Sequence, residues 1–245
     1  MAQYDNNSFL RPSATARPAA DVDQGLRSYM LGVYNFMAMG VAVTGLVAYG
    51  LHEYAANNKQ VADLLYRSPL KWVIMFAPLA IVLYFSVRAH RMSVASAQGV
   101  FWLYAVAVGA SISYIFLIYG NMSIARTFFV TAASFAGLSL YGYTTKRDIS
   151  GWGGFLVMGM IGIIIASLVN LFVHSSAVQF AVSVLGLLIF AGFTAYDSQA
   201  IKDEYYSVSH DGQAMAKASV FGALMLYQDF VGIFMNLLQF MGDRE

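Results

Sequence analysis

The chain has 245 residues, of which 59% are hydrophobic and 11% are charged, and its formal net charge is +1. Soluble domains average about 25% charged residues, so this composition excludes an ordinary soluble domain, and the small net charge argues against a nucleic-acid partner. The chain has no cysteine, which excludes disulfides, thiolate metal sites and cysteine nucleophiles. Several windows reach the ~20 apolar residues that a bilayer-crossing helix needs. The composition therefore predicts an all-α membrane protein with one domain in the lipid bilayer.

The first 27 residues differ from the rest of the chain because they are polar and contain no apolar run. They lack the basic start, apolar core and small-residue cleavage site of a signal peptide. We predict that residues 1–27 form a flexible cytoplasmic tail, with a docking motif as the alternative.

The remaining chain predicts a bundle of seven transmembrane helices over residues 28–241, followed by a short C-terminal tail over residues 242–245. Between the first two spans, the segment VADLLYR is long enough for a short surface helix. The seven spans are predicted at about 28–51, 70–87, 98–118, 124–145, 152–173, 177–201 and 216–241.

Seven spans place the two termini on opposite sides of the membrane, and the basic residues indicate which side is cytoplasmic. With the N-terminus inside, nine of the fourteen Lys and Arg residues fall on the cytoplasmic side and five on the other. The bias predicts a cytoplasmic N-terminus and an external C-terminus. The nine cytoplasmic residues are Arg11, Arg17, Arg27, Arg88, Arg91, Lys146, Arg147, Lys202 and Lys217.

Two carboxylates interrupt the last two apolar spans, Asp197 in AGFTAYDSQ and Asp229 in LMLYQDFVGIF. An acidic side chain at the centre of a membrane helix costs about 3 kcal/mol on insertion scales, so such residues normally face the protein interior and carry a function. The helical face of Asp229 also carries Gly222, Gly232 and Asn236, at spacings of whole turns. This small and polar stripe predicts a narrow polar path. The alternative for both aspartates is a hydrogen bond between helices that only specifies packing.

The second span ends in VRAHR, which places Arg88 at the same side of the membrane as the end of the sixth span, after Asp197. Arg88 and Arg91 suit the headgroup level as helix-end anchors. The alternative is that Arg88, or less favourably Arg91, reaches inward and pairs with a carboxylate.

The sequence carries no Gly-rich phosphate loop, no Ser/His/Asp set and no histidine cluster for zinc. Membrane aspartates occur in intramembrane proteases, whose YD motif is present at Tyr196–Asp197, but the GxGD motif of that class is absent before Asp229. We therefore expect no enzyme activity and no cofactor. A proton-coupled transporter remains an alternative functional class.

The second half of the chain resembles the Bax-inhibitor-1 (transmembrane Bax inhibitor motif) family, and most closely its bacterial inner-membrane branch. The resemblance rests on SIARTFFVTAASFAGLSLYGYTTKRDISGWGGFLVMGMIGIIIASLVNLF, AYDSQAIK and LYQDFVGIFMNLLQFMG. It implies a bundle with the last helix at its centre, and a pH-sensitive calcium leak gated by two aspartates that correspond to Asp197 and Asp229. It also implies that Arg88 latches the aspartate of the sixth helix.

General electrostatics supports such a gate, because two carboxylates close together in a low-dielectric bundle cannot both ionise cheaply and titrate as a unit. Calcium prefers carboxylate and carbonyl oxygens, so Asp197 and Asp229 predict a transient calcium site. The alternative function comes from bacterial relatives associated with a membrane-bound ATP-dependent protease, whose turnover of membrane proteins they modulate. In that case residues 1–27 are the expected contact.

Overall fold

The computed structural model describes residues 19–243, and every regular element among them is helical. Seven helices of this part of the chain are long and apolar enough to cross a membrane, as predicted from composition. They are α1 Ala19–Ala56, α2 Leu70–Arg88, α3 Val94–Ile112, α4 Asn121–Thr144, α5 Trp152–Val173, α6 Ser176–Val208 and α7 Gly212–Met241.

The predicted number and order of the spans are confirmed, and α5 has the predicted bounds. The largest difference is at the start, where α1 begins at Ala19 rather than at residue 28, so the predicted flexible tail was too long. The reason is packing: Leu26, only 6% exposed, lies in the main hydrophobic core. Residues 1–18 of the predicted tail lie outside the described residues.

The polar connections end in helix caps that shorten the predicted loops. The Asp211 side chain accepts hydrogen bonds from the backbone N–H groups of Gln213 and Ala214 at 2.8 and 3.3 Å, which starts α7 at Gly212. The α6 helix continues to Val208 instead of ending near Ile201. Side-chain caps of this kind satisfy the N–H groups that have no partner within the helix.

The connection between α1 and α2 contains the predicted short surface helix in two parts. A helical turn over Lys59–Ala62 begins at Asn58, whose side chain accepts from the N–H of Gln60 at 3.1 Å. A π-helical turn, Asp63–Arg67, follows it. This segment covers the VADLLYR sequence, in which Leu64 is exposed and the other apolar residues are half-buried.

The helices form a bundle in which α6 and α7 make the most extensive contact, and α7 also packs on α1, α3 and α4. By contrast, α2 packs mainly on α3, and α5 mainly on α6. In their most apolar windows only 6% of the residues of α2 and of α5 are buried, against 61% for α7. The last helix is therefore the most buried span, while the stricter expectation that all six others surround it stays a prediction.

Candidate functional site

The antiparallel contact of α6 and α7 positions the two membrane aspartates. Along it Phe190 of α6 lies against Gly232 of α7, and Ile201 lies against Gly222. In this register the residue of α7 level with Asp197 is about one turn before Asp229, so the two aspartates are offset by about 5 Å along the helix axes. That offset lets two short side chains from neighbouring helices converge.

The structure buries both aspartates and brings them together. Asp197 is 6% and Asp229 is 4% exposed, and the two carboxyl groups lie within hydrogen-bonding reach of each other. A hydrogen bond between two carboxyl groups requires one proton, because an ionised carboxylate only accepts. The remaining Oδ2 atom of Asp229 is buried and has no hydrogen-bond partner among the described residues. The predicted proximity of these two side chains is therefore observed.

The predicted latch is not formed. Arg88 is exposed at the end of α2, and its guanidinium lies over the ring of Tyr84, 5.9 Å from the ring centre, on its own helix. Arg91 is also exposed. Among the side chains that the structure describes, neither aspartate forms an ion pair with Arg or Lys; the ion pair found there joins Arg67 and Asp63. The exposed position of Arg88 at the end of α2 is compatible with a helix-end anchor, and both that role and its pairing with Asp197 stay predictions.

The predicted polar path along α7 is filled by α6. A β-carbon on Gly232 would overlap the ring of Phe190, and one on Gly222 would lie 3.1 Å from the side chain of Ile201. Asn236 donates from Nδ2 to the carbonyl of Gly232 at 2.8 Å within its own helix. In this conformation side chains of α6 therefore lie against the two glycines, and the narrow polar path stays a prediction. The stripe is small because side chains of α6 pack into it.

A second polar cluster, which was not predicted from the sequence, is built on Tyr227, two residues before Asp229 in α7. The Tyr227 hydroxyl hydrogen-bonds the Thr44 hydroxyl at 2.6 Å, and Thr44 donates to the carbonyl of Ala105 at 2.9 Å. This cluster joins α1, α3 and α7 in the buried core. The signal in the sequence was the polar pair Tyr227–Gln228 directly before Asp229, and the partner Thr44 carries no signal of its own.

On the other side of the site, a chain of hydroxyls ties α6 to α4 and α1. Ser198, which follows Asp197, lies 2.7 Å from Ser139, and Ser139 lies 2.6 Å from the hydroxyl of Tyr34. Gly142 lets α4 approach closely here, because a β-carbon would overlap the backbone carbonyl of Ala195. These contacts hold the Asp197 segment against two neighbouring helices.

The loop between α4 and α5 covers the same end of the site. The Gln199 side chain accepts from the N–H of Ile149 and donates to the carbonyl of Arg147, both at 2.9 Å. Lys202 donates to the carbonyl of Tyr143 at 3.1 Å. Two polar residues shortly after Asp197 therefore bind backbone of the loop and of the end of α4 instead of the carboxyl pair.

The site offers calcium two carboxyl groups and little else of high charge. Calcium takes six to eight oxygen ligands, and no group of three or more His, Cys, Asp or Glu side chains that could hold a metal occurs in the described part of the chain. Carbonyls and water would have to supply the other ligands. A weak, transient cation site at Asp197 and Asp229 therefore stays a prediction, because two protein carboxyl groups do not suit a permanent calcium site.

Comparison with known proteins places this architecture in a family. The family model described as "Inhibitor of apoptosis-promoting Bax1" matches residues 26–245. The chain is 45% identical to the protein RP147 of Rickettsia prowazekii over 237 residues, which cover 97% of this chain and 98% of the relative. It is 40% identical to the inner membrane protein YbhL of Escherichia coli over 239 residues, or 97% of this chain and 99% of the relative. The chain therefore belongs to the Bax inhibitor-1 family.

Proposed function

We propose that the protein is a pH-sensitive leak pathway for calcium, or a chemically similar cation, gated by Asp197 and Asp229. One observation carries the proposal: two buried carboxyl groups on adjacent membrane helices lie within hydrogen-bonding reach, with no basic side chain paired to either among the described ones. Buried membrane carboxylates of this kind typically mark ion or proton pathways. The conformation described here corresponds to a closed state in which the pair holds a proton.

Loss of that proton is the proposed trigger. Two full charges about 4 Å apart repel each other by about 4 kcal/mol at an effective dielectric constant of about 20. A difference of that size shifts a two-state equilibrium by about three orders of magnitude. The repulsion separates α6 from α7 and withdraws Phe190 from Gly232, whose contact closes the path. The two negative charges also attract a divalent cation.

Arg88 enters the proposal as a latch in a state other than the one described. Pairing with Arg88 would stabilise Asp197 in its ionised form. When Asp197 shares a proton with Asp229, the carboxyl pair is stable without Arg88. In the described conformation the guanidinium rests over Tyr84. Calcium flux through an Arg88→Gln variant would therefore test whether the latch contributes to gating.

We propose the bacterial inner membrane as the location, with the N-terminus in the cytoplasm. The relative YbhL is named an inner membrane protein, and the seven apolar helices suit a multi-pass protein. The distribution of basic residues supports this orientation. We further propose that the protein has no catalytic activity.

Calcium entry into liposomes containing the purified full-length protein, measured at a series of pH values, tests the proposal. We expect wild-type flux to rise with pH, and Asp197→Asn and Asp229→Asn to hold it low at every pH, because an amide keeps the hydrogen bond without releasing a proton. Asp203→Asn is the matched control, since Asp203 is an exposed carboxylate of the same helix. Wild-type flux equal to that of empty liposomes would overturn the proposal.

Regulation of a membrane-bound ATP-dependent protease stays an alternative prediction from the family resemblance. Its test is deletion of residues 1–18, which spares α1 from Ala19 onward. Under this alternative the deletion abolishes co-purification with the protease and leaves calcium flux unchanged. Retained co-purification would contradict the expected role of the tail.

A further inference from the structure

A groove of about 670 Å³ lies between α1 and α4. Side chains of α1 from Met30 to Val41 and of α4 from Phe128 to Leu140 form its walls, and Phe230 of α7 contributes to its lining. Leu31 and Leu140 on the rim are 51% and 62% exposed. In a membrane these side chains face the bilayer, so the groove opens sideways into lipid.

The lining of the groove is apolar along its length and basic at one end. Tyr34 and Ser139 bind each other at 2.6 Å, so their hydroxyls are already paired. Arg27 is exposed and lines the groove where α1 enters the membrane. The exposed residues Lys146 and Arg147 follow α4 at the same end of the bundle.

We propose that this groove binds one acyl chain of an anionic phospholipid, with the headgroup at Arg27. From Arg27 to Val41 the groove follows α1 for about 21 Å at 1.5 Å per residue, which exceeds the ~15 Å depth of one leaflet's hydrocarbon. An acyl chain entering from the leaflet at the start of α1 therefore fits its length. Basic pockets between membrane helices bind anionic headgroups in this way.

The lining of the groove favours an acyl chain. From Met30 to Val41 its α1 side chains are apolar apart from Tyr34, whose hydroxyl is already paired with Ser139. The charge at the rim favours an anionic headgroup over a zwitterionic one, because each basic side chain near the surface strengthens the attraction about fivefold.

The test is native mass spectrometry of the full-length protein released from vesicles of phosphatidylcholine with and without phosphatidylglycerol. We expect wild type to retain phosphatidylglycerol in preference to phosphatidylcholine. Ala136→Trp, which fills the groove, should abolish retention, whereas Ala133→Trp, on an exposed position of the same helix outside the groove, should not. Arg27→Gln should weaken retention about fivefold, and Arg126→Gln, near the start of α4, should leave it unchanged.

The elution profile and thermal unfolding of each variant show whether it folds, and the Arg27→Gln comparison tests the proposal even if Ala136→Trp does not fold. Equal retention of phosphatidylglycerol by Arg27→Gln and wild type would overturn the headgroup assignment. Unchanged retention by a folded Ala136→Trp would overturn the groove as the site. Equal retention of phosphatidylcholine and phosphatidylglycerol by wild type would overturn an anionic phospholipid as its occupant.

Discussion

Gly142 of α4 and Gly137, five residues earlier, provide a matched test of how tightly α4 packs against the site. A β-carbon at Gly142 would overlap the Ala195 carbonyl and lie 2.9 Å from the β-carbon of Ser198, whereas nothing lies within 4 Å of one at Gly137. The obstacle at Gly142 is backbone, which cannot turn away as a flexible side chain can. Gly142→Ala must therefore push α4 away from α6 beside Asp197.

The magnitude follows from the difference between the two variants. Each substitution gains about 0.8–1 kcal/mol of helix propensity in a soluble host, so this contribution cancels between them. Overpacking of a filled interface costs about 1–3 kcal/mol. We therefore expect the free energy of unfolding of Gly142→Ala to be lower than that of Gly137→Ala by about 1–3 kcal/mol.

Equilibrium unfolding of the purified variants in detergent micelles measures this difference. Wild type provides the reference, and Gly137→Ala should equal or slightly exceed its stability. If the two variants agree within about 0.5 kcal/mol, the scatter of ordinary surface substitutions, the close contact of α4 and α6 does not exist in solution.

Three further predictions follow from the contacts around the site. Tyr227→Phe removes the 2.6 Å hydrogen bond to Thr44 and should lower the free energy of unfolding by about 1 kcal/mol. Tyr66→Phe, which loses a 3.3 Å contact to Ser113, should have almost no effect. Equal losses of stability in the two variants would contradict this prediction. Phe190→Ala should raise calcium flux in liposomes, because it uncovers Gly232. Phe180→Ala, on the exposed face of α6, should leave the flux unchanged. Unchanged flux in both variants would refute the idea that Phe190 closes the path. Gln199→Ala should speed trypsin cleavage after Lys146 and Arg147 in the loop that Gln199 holds, whereas Gln213→Ala should leave the cleavage rate at wild-type level.

The sequence predicted the features that depend on local pattern. Seven apolar windows specify seven spans whatever their neighbours are, and a carboxylate such as Asp197 in such a window must face the interior. The start of α1 was misplaced because polar residues before Leu26 look like a tail unless the core that buries Leu26 is known. Helix extensions beyond the bilayer leave only weak signals in composition.

The features that depend on how helices pack were predicted less well. Gly222 and Gly232 indicated a path, yet a small residue can leave room for an ion or for a neighbouring side chain, and Phe190 occupies that room here. The position of Arg88 just after the predicted second span indicated its depth in the membrane. It did not indicate which side chain Arg88 contacts. Thr44 was missed because its role depends on Tyr227, 183 positions away in the chain.

The central claim is that Asp197 and Asp229 share a proton and release it when the path opens. Infrared difference spectroscopy of the protonated carboxyl band, recorded during a pH titration with calcium flux measured at the same pH values, tests it most directly. We expect the band to disappear over the same pH interval in which flux rises, and Asp229→Asn to change how the Asp197 carboxyl titrates. A band of Asp197 that titrates identically with and without Asp229, or a flux that rises while the band is unchanged, would contradict the shared proton.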